Sequence, residues 1–184
     1  MYLEPIFSSD DIMRQMPVEG RKFMSVDTTW RNLMDATSKE PNVLDAINAE
    51  GTTRDSLKEA NKKLDEISKE LNSYLETKRA FFPRFYFISN DDLLDILSTT
   101  KDPLKVQDHL NKCFEAIEKV NFDEKQRITA MQSAEKEEVE FLEMIDVNEG
   151  AKKGNVELWM GELESTMFKT MWDITKKSML AYAK

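Results

Sequence analysis

The 184-residue chain has little of what marks several familiar protein classes. Its single cysteine, Cys113, rules out an internal disulfide and fits a reducing compartment. Five glycines and five prolines are too few for a turn-dense β-sandwich, a collagen-like repeat or a disordered tail. Positive charge is outnumbered, 26 Lys and Arg against 35 Asp and Glu, so no global field draws nucleic acid or anionic lipid. The most apolar stretch, Phe81 to Ile88, is broken by Pro83 and Arg84 and is far shorter than the roughly 20 residues of a spanning helix. No membrane partner is expected. Tyr2, Leu3 and Glu4 after Met1 lack the basic and apolar regions of a secretion signal, and the expectation is a start methionine placed before an internal segment.

What is present is 40% hydrophobic and 33% charged residues, enough apolar material for a core and a composition that favours long helices. Phe23, Val26, Trp30, Leu33 and Thr37 alternate at three and four residues, which predicts one helical stripe that Pro17 can begin. Leu57, Ala60, Leu64, Ile67, Leu71, Tyr74 and Lys78 do the same more clearly. From Leu57 to Phe81 that pattern describes a rod of roughly 40 Å at about 1.5 Å per residue, stopped by Pro83. With a short helix expected around Val43 to Asn48, the two stripes predict a long antiparallel helical hairpin.

After Pro83, the run Phe85, Tyr86, Phe87, Ile88 predicts a short extended segment. Ser89 or Asn90 then caps a helix carrying Leu93, Leu94, Ile96 and Leu97, which stops near Thr100. Asp102 before Pro103 starts another, with Leu104, Val106, Leu110, Phe114 and Ile117 as its apolar face. Helical spacing then fades. Val120 to Phe122, Ile128 to Gln132 and Val139 to Leu142 predict a small antiparallel meander. A closing helix capped by Asn155 follows, its stripe Val156, Trp159, Leu163, Met167, Met171, Ile174 widened by Met160, Phe168 and Trp172. The expected fold is mainly α: an elongated helical bundle with a long hairpin and a small antiparallel meander. Its parts are a hairpin subdomain over 1–82, short helices plus meander over 83–150, and a closing helix over 151–184.

Residues that could carry chemistry are sparse. The glycines at 20, 51, 150, 154 and 161 make no phosphate loop, and Gly150 with Gly154 reads as a loop before a cap. His109 and Cys113 are the only His and Cys, one turn apart on a helix, and no oriented base, oxyanion donor or further ligand accompanies them. Asp10 and Asp11, and Asp91, Asp92 and Asp95, follow Ser or Asn, so helix starts explain them better than calcium or acid–base work. Eleven methionines fall mostly at core spacing. No catalytic, cofactor or metal residue is expected, and function must come from shape or partners.

One resemblance is specific. YLETKRAFFPRFYFISNDDLLDIL, Tyr74 to Leu97, resembles the hallmark of the linker region of dynein heavy chains. Tyr2 to Trp30 resembles the axonemal branch more than the cytoplasmic one, and Lys101 to Phe122, Ile128 to Phe141 and Asn155 to Met167 continue the family's order. Where the family commonly has Gly and Pro, this chain has Lys136 and Glu140, which bears on the turn before Glu137. The resemblance implies an internal, non-catalytic piece of a lever that arches over an AAA+ ring, in the cytoplasm and the axoneme of cilia or flagella. It implies ATP and Mg bound by the ring rather than here, and partners in that ring and the rest of the linker. Monomeric behaviour of the isolated piece is expected. Phe81, Phe82, Pro83, Phe85, Phe87 and Ser89 form the candidate junction, either a pivot or a rigid aromatic plug. A standalone helical interaction module is the other class of function.

Overall fold

The computed structural model describes residues 3–8, 10–39, 41–42, 53–100 and 102–182, and these divide into two compact units, Met1–Tyr74 and Leu75–Lys184. The fold is mainly helical with one small three-stranded antiparallel sheet. The helix expected around Val43 to Asn48 and the side chains of Asp10 and Asp11 lie outside the described residues.

In the first unit, α1 (Leu3–Phe7) and α2 (Asp10–Gln15) lead into α3 (Pro17–Lys39), which starts at the expected proline, where a missing N–H costs nothing. Phe7 stacks on Phe23 of α3 with centroids 5.2 Å apart, and Ile6, Ile12, Met16 and Val26 are buried. The long helix α4 (Thr53–Phe81) contributes Ile67 and Leu71 to this core. Lys22 of α3 pairs with Glu66 of α4 at 2.9 Å, and Tyr74 donates to Gln15 Oε1 at 2.7 Å. The predicted apolar stripes are not buried throughout, because Trp30 and Leu57 are exposed. At that level the space beside Val26 is lined by Thr29, Ser56, Glu59, Ala60 and Lys63, which offer no large apolar surface to close over them.

In the second unit, α4 ends at Phe81 and Pro83 begins a 3-10 turn, Pro83–Phe87. The extended segment expected at Phe85 to Ile88 is therefore corrected. Proline's fixed φ favours the first position of a helical turn, and burial of Phe82 and Phe85 from a three-residue repeat outweighs the β preference of the aromatics. Helix α5 (Asn90–Ser98) follows, with Ser89 as its N-cap accepting from Asp92 N, and Leu93, Leu94, Ile96 and Leu97 all buried. The single helix expected after Pro103 is broken into α6 (Pro103–Val106), a 3-10 turn (Gln107–His109) and α7 (Leu110–Cys113), while Phe114 and Ile117 are buried beyond its end.

The meander is as expected: β1 (Lys119–Phe122), β2 (Arg127–Gln132) and β3 (Glu138–Asp146) in the order β1-β2-β3. Its two hairpins share one device. Gln126 N bonds to Asp123 O and Lys136 N to Ser133 O, and Gln126 and Lys136 both sit at left-handed φ, 60° and 67°. Side-chain oxygens of Asp123 and Ser133 accept backbone N–H groups of the same turns. A type I turn followed by a left-handed residue is a common hairpin closure, and glycine is the residue it favours. Lys136→Gly and Gln126→Gly should each stabilise the chain by about 0.5–1 kcal/mol, read as a higher urea midpoint, because a side chain in this region costs about 1–2 kcal/mol.

The closing helix α8 (Val156–Tyr182) packs on β3, where Leu142 N donates to Thr170 Oγ1 at 3.2 Å. Val156, Trp159, Met160 and Leu163 are buried. Phe168, Met171, Trp172 and Ile174, expected in the same apolar face, are exposed. Trp172 comes thirteen residues after Trp159, which places it about 140° around the helix at about 100° per residue. It belongs to a second face. Asn155 directly precedes α8, and its side-chain amide donates to Ala151 O at 2.8 Å.

Candidate functional site

The candidate junction residues fall into two groups. Phe82 and Phe85 are buried, edge to face at 5.0 Å, and Phe82 also meets Phe114 at 6.1 Å. Ile88 is buried as well. Phe81 and Phe87 are exposed, Phe87 at 79%, Pro83 starts the turn, and Ser89 caps α5.

Charged side chains bind this turn to its surroundings. Arg79, in the last turn of α4, donates from Nε to Phe85 O at 3.2 Å and from Nη2 to Ile88 O at 3.3 Å and Asn90 Oδ1 at 2.7 Å. Its Nη1 reaches Glu76 at 3.0 Å. One guanidinium thus holds two carbonyls at the end of the short turn, adding a second bond to Phe85 O, which also accepts from Ile88 N. Tyr86 also donates to Glu76, at 3.2 Å, and that hydrogen bond to a carboxylate raises its phenol above the ordinary value. Arg84 projects the other way, donating to Glu164 of α8 at 2.6 Å and to Cys113 O at 3.1 Å while lying 4.8 Å from the Phe114 ring centroid. One turn before the junction, Lys78 pairs with Glu157 of α8 at 2.5 Å, and both residues are buried, at 7% and 6% exposure.

Lys78 was legible as an anomaly, because it continues the apolar alternation of α4 at a position where the pattern calls for a core residue. Nothing in the sequence separates Arg79, Arg84, Glu157 or Glu164 from ordinary surface charge.

The other candidates are occupied locally. His109 Nε2 lies 3.0 Å from Asp95 Oδ2, and Asp92 bonds Lys112 at 2.8 Å and Ser89 Oγ at 2.8 Å. The bonds from Lys112 and then Ser89 hold the Asp92 carboxyl below its usual range. These contacts tie α5 to the segment that follows it. Cys113 is buried, and desolvation pushes its thiol up to about 11, only partly offset by Arg84 and Lys112. At about pH 8 roughly one thiol in a thousand would be ionised. Cys113 should therefore resist iodoacetamide in the native chain and react on unfolding in urea, a contrast read by mass spectrometry. Gly150 and Gly154 both take positive φ, 55° and 78°, which accounts for glycine at each. Among the described residues no group of three or more His, Cys, Asp or Glu is placed to hold a metal ion, and no helix is long and apolar enough to cross a membrane.

The motif that forms the junction, from α4 through the 3-10 turn into α5, is part of a match that extends over nearly the whole chain. Residues 1–178 match the family model for dynein heavy chain, N-terminal region 2, and the chain belongs to that family. It is 50% identical over 182 residues to dynein axonemal heavy chain 12 of Rattus norvegicus, 49% identical over 182 residues to that of Homo sapiens, and 49% identical over 184 residues to human dynein axonemal heavy chain 3. These alignments cover 99–100% of this chain but only 6%, 6% and 4% of the relatives' length.

Proposed function

We propose that this chain is a non-catalytic lever segment of an axonemal dynein heavy chain, conveying displacement generated elsewhere in the motor to microtubule-based movement of cilia or flagella. The observation that carries the reading is how the end of α4 is held: there Arg79 and Lys78 fasten the helix to the aromatic turn and to α8. A helix whose end is held by buried hydrogen bonds and packed rings transmits load, because bending there must break close packing.

On this reading α3 and α4 form a long antiparallel hairpin that serves as the strut, and the Phe81 to Ser89 junction is a rigid plug rather than a pivot. ATP and Mg belong to an AAA+ ring elsewhere in the heavy chain, and the partners are that ring and the rest of the linker. The working location is the axoneme. A standalone interaction module is disfavoured by the apolar side chains exposed along α8, since a free-standing module would satisfy its faces internally. The test is made in the complete heavy chain carrying Arg79→Ala and Phe85→Ala. Displacement per ATP in an optical trap should shrink while ATP turnover persists; an unchanged displacement would contradict the proposal.

A further inference from the structure

Helix α8 carries a second, unpaired seam. Phe168, Trp172, Thr175, Met179 and Tyr182 follow one another at four, three, four and three residues, the period at which paired helices interlock. All five are exposed, Trp172 at 76% and Tyr182 at 95%. The buried face formed by Trp159, Leu163, Thr166 and Thr170 lies elsewhere on the helix, so the seam is not its continuation.

The charges beside the seam indicate what covers it. Lys169 and Lys176 each come directly after a seam residue, Phe168 and Thr175, in the flanking position that selects a partner by charge. Lys169 has only Glu143 at 3.9 Å, and Lys176 has no ion pair among the described residues. Asp173 is occupied by Lys177 at 2.6 Å. In a chain of net charge −9 this is a basic flank on an apolar stripe. A second copy fits poorly. Antiparallel self-pairing sets these lysines against their own equivalents, and parallel self-pairing sets them against Met171 and Ser178, which carry no charge.

We infer that the Phe168–Tyr182 face of α8 is a docking surface for an amphipathic helix with glutamates or aspartates flanking an apolar seam of the same period. The surface is defined by α8 alone and stands whether or not the segment works as a lever. Phe168 and Met171 also border an apolar groove with Ile117, Met131 and Val139, which extends the contact toward the sheet.

The probes are two fluorescein-labelled three-heptad peptides with leucines in the seam, one flanked by glutamates and the other by lysines, titrated into the 184-residue chain. The acidic peptide should bind at least about tenfold more tightly, and the preference should shrink as salt rises from about 0.05 to about 0.3 M. Lys169→Glu with Lys176→Glu should reverse the preference, and Trp172→Ala should weaken binding about tenfold. All three positions are exposed, so these variants leave the core intact. Equal affinities, no binding of the acidic peptide, a preference indifferent to the charge reversal, or a self-associated chain that dissociates on Trp172→Ala would each overturn the inference.

Discussion

Phe85→Ala should destabilise the second unit by about 3–5 kcal/mol, measured as loss of urea resistance with the buried Trp159 as the fluorescent probe. Phe85 is 0% exposed, its ring meets Phe82 edge to face, and its carbonyl is held by Arg79, so truncation opens a cavity that fixed neighbours cannot fill. Phe87→Ala, two residues later in the same aromatic run, should change stability by less than about 0.5 kcal/mol because that ring stands in solvent. Equal losses from the two substitutions would mean that the turn is not packed as described.

Lys78→Met should cost about 3–5 kcal/mol as well, for an electrostatic reason. Glu157 is buried, its Oε2 has no hydrogen-bond partner among the described residues, and Oε1 accepts from Lys78. Removing the ammonium leaves a carboxylate in a medium that solvates it poorly. Lys78→Met combined with Glu157→Leu removes both charges and keeps much of the volume, so most of the loss should be recovered. A double variant as unstable as the single one would show that the pair does not account for the effect.

Much of the architecture was readable in the sequence because long helices and short strands are set by periodicity. The stripe of α4 gave its extent, Pro83 its end, and the alternation of Glu138, Val139, Glu140 and Phe141 announced β3. The failures have physical causes. Phe85 to Ile88 looks β-like by composition, but a proline start and two rings a turn apart make it helical. Phe168 and Trp172 widen the apolar stripe of α8 in the sequence yet stand exposed, because hydropathy shows that a residue is apolar, not whether anything lies against it. Lys136 stands where the resemblance leads one to expect glycine, and the hairpin keeps the left-handed turn regardless. The junction was visible as a motif, whereas its fastening was not. Arg79 reaches carbonyls six and nine residues along the chain, and Arg84 reaches Glu164 eighty residues away, distances at which no local pattern speaks.

The rigidity of the Phe81 to Ser89 junction is tested most directly by native-state hydrogen exchange at the amides of Phe85 and Ile88, which bond to Phe82 O and Phe85 O. If the junction is a plug, both should exchange only through unfolding of the whole second unit, with the same urea dependence as Leu94 and Ile96 in α5. Exchange of these two amides through a low-cost local opening, while α5 stays protected, would show a hinge at this site and contradict the account.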